Sequence, residues 1–197
     1  MRLDFRHSQF LTSATGPSGL PPDRGREVAF AGRSNAGKSS ALNAITGVSG
    51  LARVSKTPGR TRLINLFTVA GDMRLVDLPG YGYAKVPQAE RARWGEMLEA
   101  YLSGRHCLAG LVLIMDVRHP LTDFDRQLLA YAGPLSLPVH VLLSKADKLG
   151  RGAAQQSLAA VKRGLMARAS VQLFSSVSGQ GVEEAQQRLA GWLEEKK

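Results

Sequence analysis

Apolar positions along the chain change period several times, and each change marks an element. Glu27-Val-Ala-Phe-Ala31 carries an unbroken apolar run, Val28 to Ala31, that leads into glycine, as a strand buried on both faces would. A helix is predicted from about Lys38 to Ile45, stopped by Gly47. Val48 to Thr61 has no periodicity and reads as a loop. Arg62 to Val69 and Met73 to Val76 then form two strands around the turn Ala70-Gly71-Asp72, an antiparallel hairpin. Between Pro87 and Tyr101, Trp94, Met97, Leu98 and Tyr101 fall at helical spacing.

Leu111 to Met115 and Val139 to Leu143 are further all-apolar strands. Between them Thr122-x-x-Asp125 has the form of a capping box opening a helix with Phe124, Leu128 and Leu129. The last third alternates again: a helical face of Leu158, Val161 and Leu165, a strand from Val171 to Phe174, and a helix through Val182, Ala185, Leu189 and Trp192. This alternation predicts an α/β fold, a mostly parallel six-stranded sheet with one antiparallel strand and helices on both faces. Residues 1–25, with anchors Phe5 and Phe10 and then TSATGPSGLPPDRG, read as an irregular lead-in to one domain over 26–197.

In such sheets ligands sit beyond the carboxyl ends of the strands, and the chemistry-bearing residues fall there. Gly32-Arg33-Ser34-Asn35-Ala36-Gly37-Lys38-Ser39 has the form G-x-x-x-x-G-K-S directly after a strand. That is a P-loop: glycines let backbone N–H groups converge on phosphate oxygens, the helix beginning there adds its positive end, Lys38 reaches the β- and γ-phosphates, and Ser39 ligates magnesium. Ser40 continues the loop into the helix. Asp77-Leu-Pro-Gly80 closes the second hairpin strand, so Asp77 can hold the magnesium ion through water and the Gly80 N–H can sense the γ-phosphate. Ser144-Lys145-Ala-Asp147 ends the Val139 strand. A carboxylate at Asp147 accepts from both N1–H and the 2-amino group of guanine, a donor pair that adenine lacks, while Lys145 can lie along the base. Ser175 and Ser176 end the next strand, where a backbone N–H can meet guanine O6.

Composition narrows the setting. The 197 residues carry a net charge of +10, which points to a polyanionic partner. Half of it falls between Leu51 and Arg93, where Arg53, Lys56, Arg60, Arg62, Arg74, Lys85, Arg91 and Arg93 face only Asp72, Asp77 and Glu90. A single cysteine, Cys107, excludes a disulfide framework, and four scattered histidines show no ligand spacing. The N-terminus lacks a signal-peptide core, and Leu108 to Met115 is too short to span a bilayer, so a cytoplasmic protein with no membrane partner is expected. A P-loop kinase or ATPase gives no reason for the SKAD motif.

Together these motifs resemble the translation-factor class of P-loop GTPases. AFAGRSNAGKSS, Lys56-Thr-Pro-Gly-Arg-Thr61, DLPGYGYA and LLSKADK are similar to a narrower group, the EngB (YihA/YsxC-type) ribosome-biogenesis GTP-binding proteins, over roughly residues 5 to 195. The resemblance implies a GTP/GDP switch acting in assembly of the large ribosomal subunit or on its rRNA, and Thr61 as a mobile-loop threonine completing the magnesium shell. Similar potassium-activated GTPases carry an asparagine at the position of Asn35, which implies K+ beside the phosphates; the alternative is that Asn35 only hydrogen-bonds the loop backbone. Tyr81 follows DLPG where Ras-like enzymes place a water-orienting glutamine, so slow intrinsic hydrolysis is expected. The alternative is a nucleotide-stabilised rRNA-binding factor with little hydrolysis. A monomer is expected.

Overall fold

The structure is a computed structural model that describes residues 3–53, 63–80, 88–165 and 169–195. Seven strands form one sheet in the order β1-β3-β4-β2-β5-β6-β7: β1 (Gln9–Ala14), β2 (Arg26–Gly32), β3 (Ile64–Ala70), β4 (Met73–Asp77), β5 (Leu108–Asp116), β6 (Val139–Ser144) and β7 (Ala169–Leu173). β3 runs antiparallel to both its neighbours, β1 and β4. The pairs β2–β4, β2–β5, β5–β6 and β6–β7 are all parallel. The mostly parallel sheet with one reversed strand is as expected, but it has seven strands and not six. The extra strand, β1, lies in the segment read as irregular. Its partner is far off in sequence, in a register running from Gln9 opposite Thr68 to Ala14 opposite Ile64, and the Phe10 ring meets Phe67 edge-on at 6.2 Å.

Period-two alternation divides each strand between two cores. Val28 and Phe30 of β2, with Val112 and Ile114 of β5, pack on α1 (Lys38–Thr46) and α5 (Val182–Glu194) through Leu42, Ile45, Ala185 and Leu189. Ala29 and Ala31, with Leu111, Leu113 and Met115, face α2 (Gln88–Gly104), α3 (Asp123–Ala132) and α4 (Arg151–Gly164) through Leu98, Tyr101, Leu128 and Val161. The capping box of α3 is present in both directions, the Asp125 N–H to Thr122 Oγ1 at 3.4 Å and the Thr122 N–H to Asp125 Oδ2 at 2.8 Å. Gly110 of β5 lies under the Trp192 indole, which would overlap any Cβ there. No helix among the described residues is long and apolar enough to cross a membrane.

The amino-terminal end of β2 is held by charge. Glu27, with no exposed surface, accepts from Arg74 Nε at 2.8 Å, Arg105 Nε at 3.0 Å, Arg105 Nη2 at 2.7 Å and the Tyr101 hydroxyl at 3.3 Å. Burial works to raise this carboxyl, yet Arg105 and Arg74 hold it below its ordinary value. Arg74 therefore does not belong to an exposed basic surface, as its place in the Leu51 to Arg93 charge run suggested. Its guanidinium is buried and also donates to the Arg24 carbonyl.

Candidate functional site

β2 delivers the chain into the glycine-rich loop. A Cβ on Gly32 would sit 2.8 Å from the Ile114 carbonyl oxygen, so glycine is required where β2 approaches β5 this closely. The loop then turns sharply. The Ala36 N–H donates to the Arg33 carbonyl at 3.0 Å, Asn35 takes φ 62° and Gly37 takes φ 99°, a conformation natural only to glycine. α1 starts at Lys38 with no side-chain cap and no acidic residue in its first turn, so its positive end is left to whatever anion lies before it. Ser34, Ser39 and Ser40 are half-buried in this loop and first turn.

Two elements bring acidic and glycine groups against the loop. Asp77, the last residue of β4, is ion-paired with the Lys38 ammonium, the two side chains being 5% and 10% exposed. The chain stays on β2 for one more residue, since the Leu78 N–H donates to the Phe30 carbonyl at 3.0 Å. Gly80 then packs on Ser34, and the Trp94 indole N–H donates to the Pro79 carbonyl at 3.1 Å, tying α2 to this turn. Thr61 and Tyr81 lie outside the described residues, as do Lys56, Arg60 and Lys85.

The carboxyl end of β6 meets the same loop from the other side. The Ser144 hydroxyl, buried, lies within hydrogen-bond reach of the Ala36 and Met115 carbonyls. Lys145 adopts φ 59°, and its ammonium donates to the Asn35 carbonyl at 2.6 Å and to Asp116 Oδ2 at 2.9 Å. Asp147 Oδ1 accepts from the Ser175 hydroxyl at 2.6 Å, which holds its carboxyl below the ordinary value. Ser175 Oγ in turn accepts from the N–H groups of Val177 and Ser178 at 3.2 and 3.1 Å. The Ala146 N–H to the Phe174 carbonyl, at 3.0 Å, seats the two loops side by side. Ser176 is exposed beside them.

One pair was missed in the sequence. Asp116 closes β5 and is gripped by Arg118 through Nε at 2.9 Å and Nη2 at 2.7 Å, in addition to Lys145. Burial acts to raise the Asp116 carboxyl, but the hydrogen bonds from Arg118 and Lys145 outweigh it and leave the group well below the usual carboxylate range. The signal was available, since Asp116 ends an apolar strand just as Asp77 does.

The arrangement is a glycine-rich loop at a helix start, bonded to a carboxylate-bearing edge at the ends of β6 and β7. Comparison with known proteins agrees. The family model described as 50S ribosome-binding GTPase matches residues 27–145. The chain is 56% identical over 193 residues to the probable GTP-binding protein EngB of Azoarcus sp. (strain BH72), covering 96% of this chain and 92% of that one. It is 50% identical over 192 residues to the protein of the same name from Coxiella burnetii (strain RSA 493 / Nine Mile phase I), covering 96% and 94%. A crystal structure of a probable GTP-binding protein engB superposes with a TM-score of 0.69 at 23% identity, over 86% of this chain and 100% of that one. An Aquifex aeolicus Era protein bound to GDP and aluminium fluoride superposes with a TM-score of 0.64 at 20% identity, over 87% and 57%. At those identities the two structures speak for the fold. The sequence matches carry the assignment: the chain belongs to the EngB GTP-binding proteins, within the family of 50S ribosome-binding GTPases, and is a GTPase.

Proposed function

We propose that this GTPase works as a nucleotide-dependent switch in assembly of the large ribosomal subunit, acting as a cytoplasmic monomer on the particle or its rRNA. The observation that carries the reading is the direct bonding of the base-side loop to the phosphate loop, Lys145 to the Asn35 carbonyl and Ser144 to the Ala36 carbonyl. With it, occupancy of the base pocket and shape of the phosphate cradle become one property.

Each residue has a role in this reading. Gly32, Arg33, Ser34, Asn35, Ala36 and Gly37 present backbone N–H groups to the phosphates, and the positive end of α1 at Lys38, Ser39 and Ser40 adds to their field. Lys38, paired with Asp77 in the structure, turns its ammonium to the β- and γ-phosphates when GTP enters. Gly80 packs against the loop at Ser34, where its N–H can report a γ-phosphate. Asp147 reads guanine through two acceptor oxygens, Ser175 fixes that carboxylate, and Ser176 offers a backbone N–H at the outer edge of the base.

The hydroxyl of Ser39 and the carboxylate of Asp77 are hard oxygen donors of the kind magnesium takes, and the low exposure of Asp77 fits a carboxylate that meets a cation. These two, with Thr61, would hold Mg2+, which when bound neutralises charge on the β- and γ-phosphate oxygens. An oxygen of Asn35 beside the phosphates would suit K+ in the same manner. Water attacks the γ-phosphorus and GDP leaves with its β-phosphate oxygen carrying the negative charge. With Tyr81 and not glutamine after Gly80, the unassisted rate is low.

Phosphate release measured with and without purified large ribosomal subunits tests the reading. Stimulation by subunits is expected. Unchanged release, with subunit binding retained, would leave instead the nucleotide-stabilised RNA-binding role. Equal rates in potassium and sodium at matched ionic strength would remove the monovalent ion.

A further inference from the structure

The sixteen acidic residues leave two long spans of chain without any, Val28 to Gly71 and Lys148 to Val182. The first holds the phosphate loop and needs no further explanation. The second carries Lys148, Arg151, Lys162, Arg163 and Arg168, a net of +5 out of the whole chain's +10. Only its two ends approach the base side of the nucleotide site, where the ligand is uncharged.

Within this span α4 shows what the charge is arranged on. Its inner face is fixed by Ala154 and Val161, which are buried, and by the Ser157 hydroxyl donating to the Val117 carbonyl at 2.8 Å. Its exposed residues are Arg151, Gly152, Ala153, Gln155, Gln156, Ala159, Ala160, Lys162, Arg163 and Gly164. At 100° per residue, Arg151, Gln155 and Lys162 fall within about 40° of one another, and Arg151 and Lys162 are about 16 Å apart along the axis. Lys162 and Arg163 lie in the last turn, where the helix dipole favours them, but helix stability does not account for Arg151. Arg151 occupies the first position of α4 over an uncapped Gly150, against the dipole, whereas α3 and α5 carry acids in their first turns.

We infer that the exposed face of α4 is a docking surface for double-stranded RNA, independent of nucleotide state; the inference rests on the ribosomal reading above. The chemistry of the face selects this occupant. A protein interface draws on apolar and aromatic side chains at its centre, and nothing exposed on α4 among the described residues is an apolar side chain larger than alanine. Single-stranded RNA is held by aromatic stacking platforms, which this face also lacks. What it offers suits the wide, shallow minor groove of an A-form duplex: cations at both ends for phosphates, two glutamine amides for 2′-hydroxyls, and small residues between that let the backbone come close. Independence from nucleotide follows from the anchoring of α4 on Val117 and on β7 of the sheet.

The test uses the full chain, with a fluorescent 20-base-pair RNA duplex and purified large ribosomal subunits as probes. Arg151, Lys162 and Arg163 are changed together to glutamine, which keeps the helix-forming character of each position. Affinity for both probes should fall at least about 10-fold near physiological salt, and the slope of log affinity against log salt should drop by about 3. The loss should be equal with GDP and with a non-hydrolysable GTP analogue, while GDP affinity and thermal midpoint stay at wild-type values. Duplex should also slow amide hydrogen exchange of α4 in the wild-type protein, a readout that needs no variant. Wild-type affinity and slope in the triple variant would overturn the inference and leave the ribosomal reading standing. Loss of subunit binding with duplex binding intact would assign the face to a ribosomal protein and overturn it as well. Failure of the wild-type protein to bind subunits at all would remove the ribosomal reading, and this inference with it.

Discussion

Removing the carboxylate at the amino end of β2 should cost a large share of the protein's stability. Glu27 is fully buried and is the shared anion of two guanidiniums whose side chains are only 5% and 8% exposed, with the buried Tyr101 hydroxyl as a further donor. Glu27→Gln keeps the volume but takes the near carboxylate from two buried cations, leaving Arg74 the Arg24 carbonyl and Arg105 the Pro21 carbonyl and Asp23. Breaking one buried pair costs about 3–5 kcal/mol, and a loss in that range is expected here, since Arg105 would keep only the more distant Asp23 at 3.9 Å. Against a typical total of about 5–15 kcal/mol, that leaves a marginal fold. Urea unfolding of nucleotide-free protein, followed by Trp94 and Trp192 fluorescence, reads it as a lower midpoint at unchanged slope.

Replacing Glu27, Arg74 and Arg105 together by leucine or methionine should recover most of the loss, because no charge is then left unpaired. Adding salt should change the Glu27→Gln deficit little, as buried pairs are weakly screened. The acid limb has a defined sign. The folded carboxyl lies below its ordinary 4.5, so its contribution is present above that pH and is lost as the pH falls through the lowered value. A Glu27→Gln loss under about 1 kcal/mol at constant slope would refute the reasoning, since it would mean that the cations had found water or another acceptor.

Three further outcomes can be checked directly. Asp147→Asn should lose about 2–4 kcal/mol of GTP affinity and gain affinity for xanthosine triphosphate in competition assays, because an amide presents one donor where guanine needs two acceptors. Asp116→Asn removes the anion holding the Lys145 ammonium. With a charged hydrogen bond worth about 1.5–3 kcal/mol, GDP should dissociate about 10-fold faster in stopped flow, and an unchanged rate would detach Asp116 from the site. His140, 1% exposed between Ser170 and Gln172 at 2.7 Å each, has its pKa lowered by burial. Its stabilising contribution is therefore full above about pH 6.5 and declines below it, and His140→Gln should flatten the dependence of the urea midpoint on pH between about 7.5 and 5.5.

Local signals made most of the architecture legible. Glycines beside apolar runs located the phosphate loop, and Thr122 with Asp125 located the start of α3, because a turn or a cap is decided by residues a few positions apart. β1 was not legible for the opposite reason: Gln9 to Ala14 becomes a strand only through Thr68 to Ile64, and its own burial alternates weakly. Arg74 shows the same limit for charge. A single arginine between Met73 and Leu75 reads as solvated, and only the fold brings Glu27 beside it. Asp116 is different, since its position after Leu108 to Met115 repeats that of Asp77. It was passed over because no glycine followed to mark it as a site.

The seating of α1 bears on how the chain is made. Leu42 and Ile45 share their core with Ala185, Leu189 and Leu193, and the Gln186 side chain donates to the Ile45 carbonyl at 2.7 Å, satisfying a carbonyl in the last turn of α1. α5 follows every other described element in the sequence, so during synthesis the phosphate-loop helix can settle on β2 and β5 but lacks its α5 neighbour until the last of them has been translated. The core around α1 is therefore completed only after α5 has been made, and a nascent chain halted in α4 would hold its P-loop helix with Leu42 and Ile45 uncovered on the α5 side.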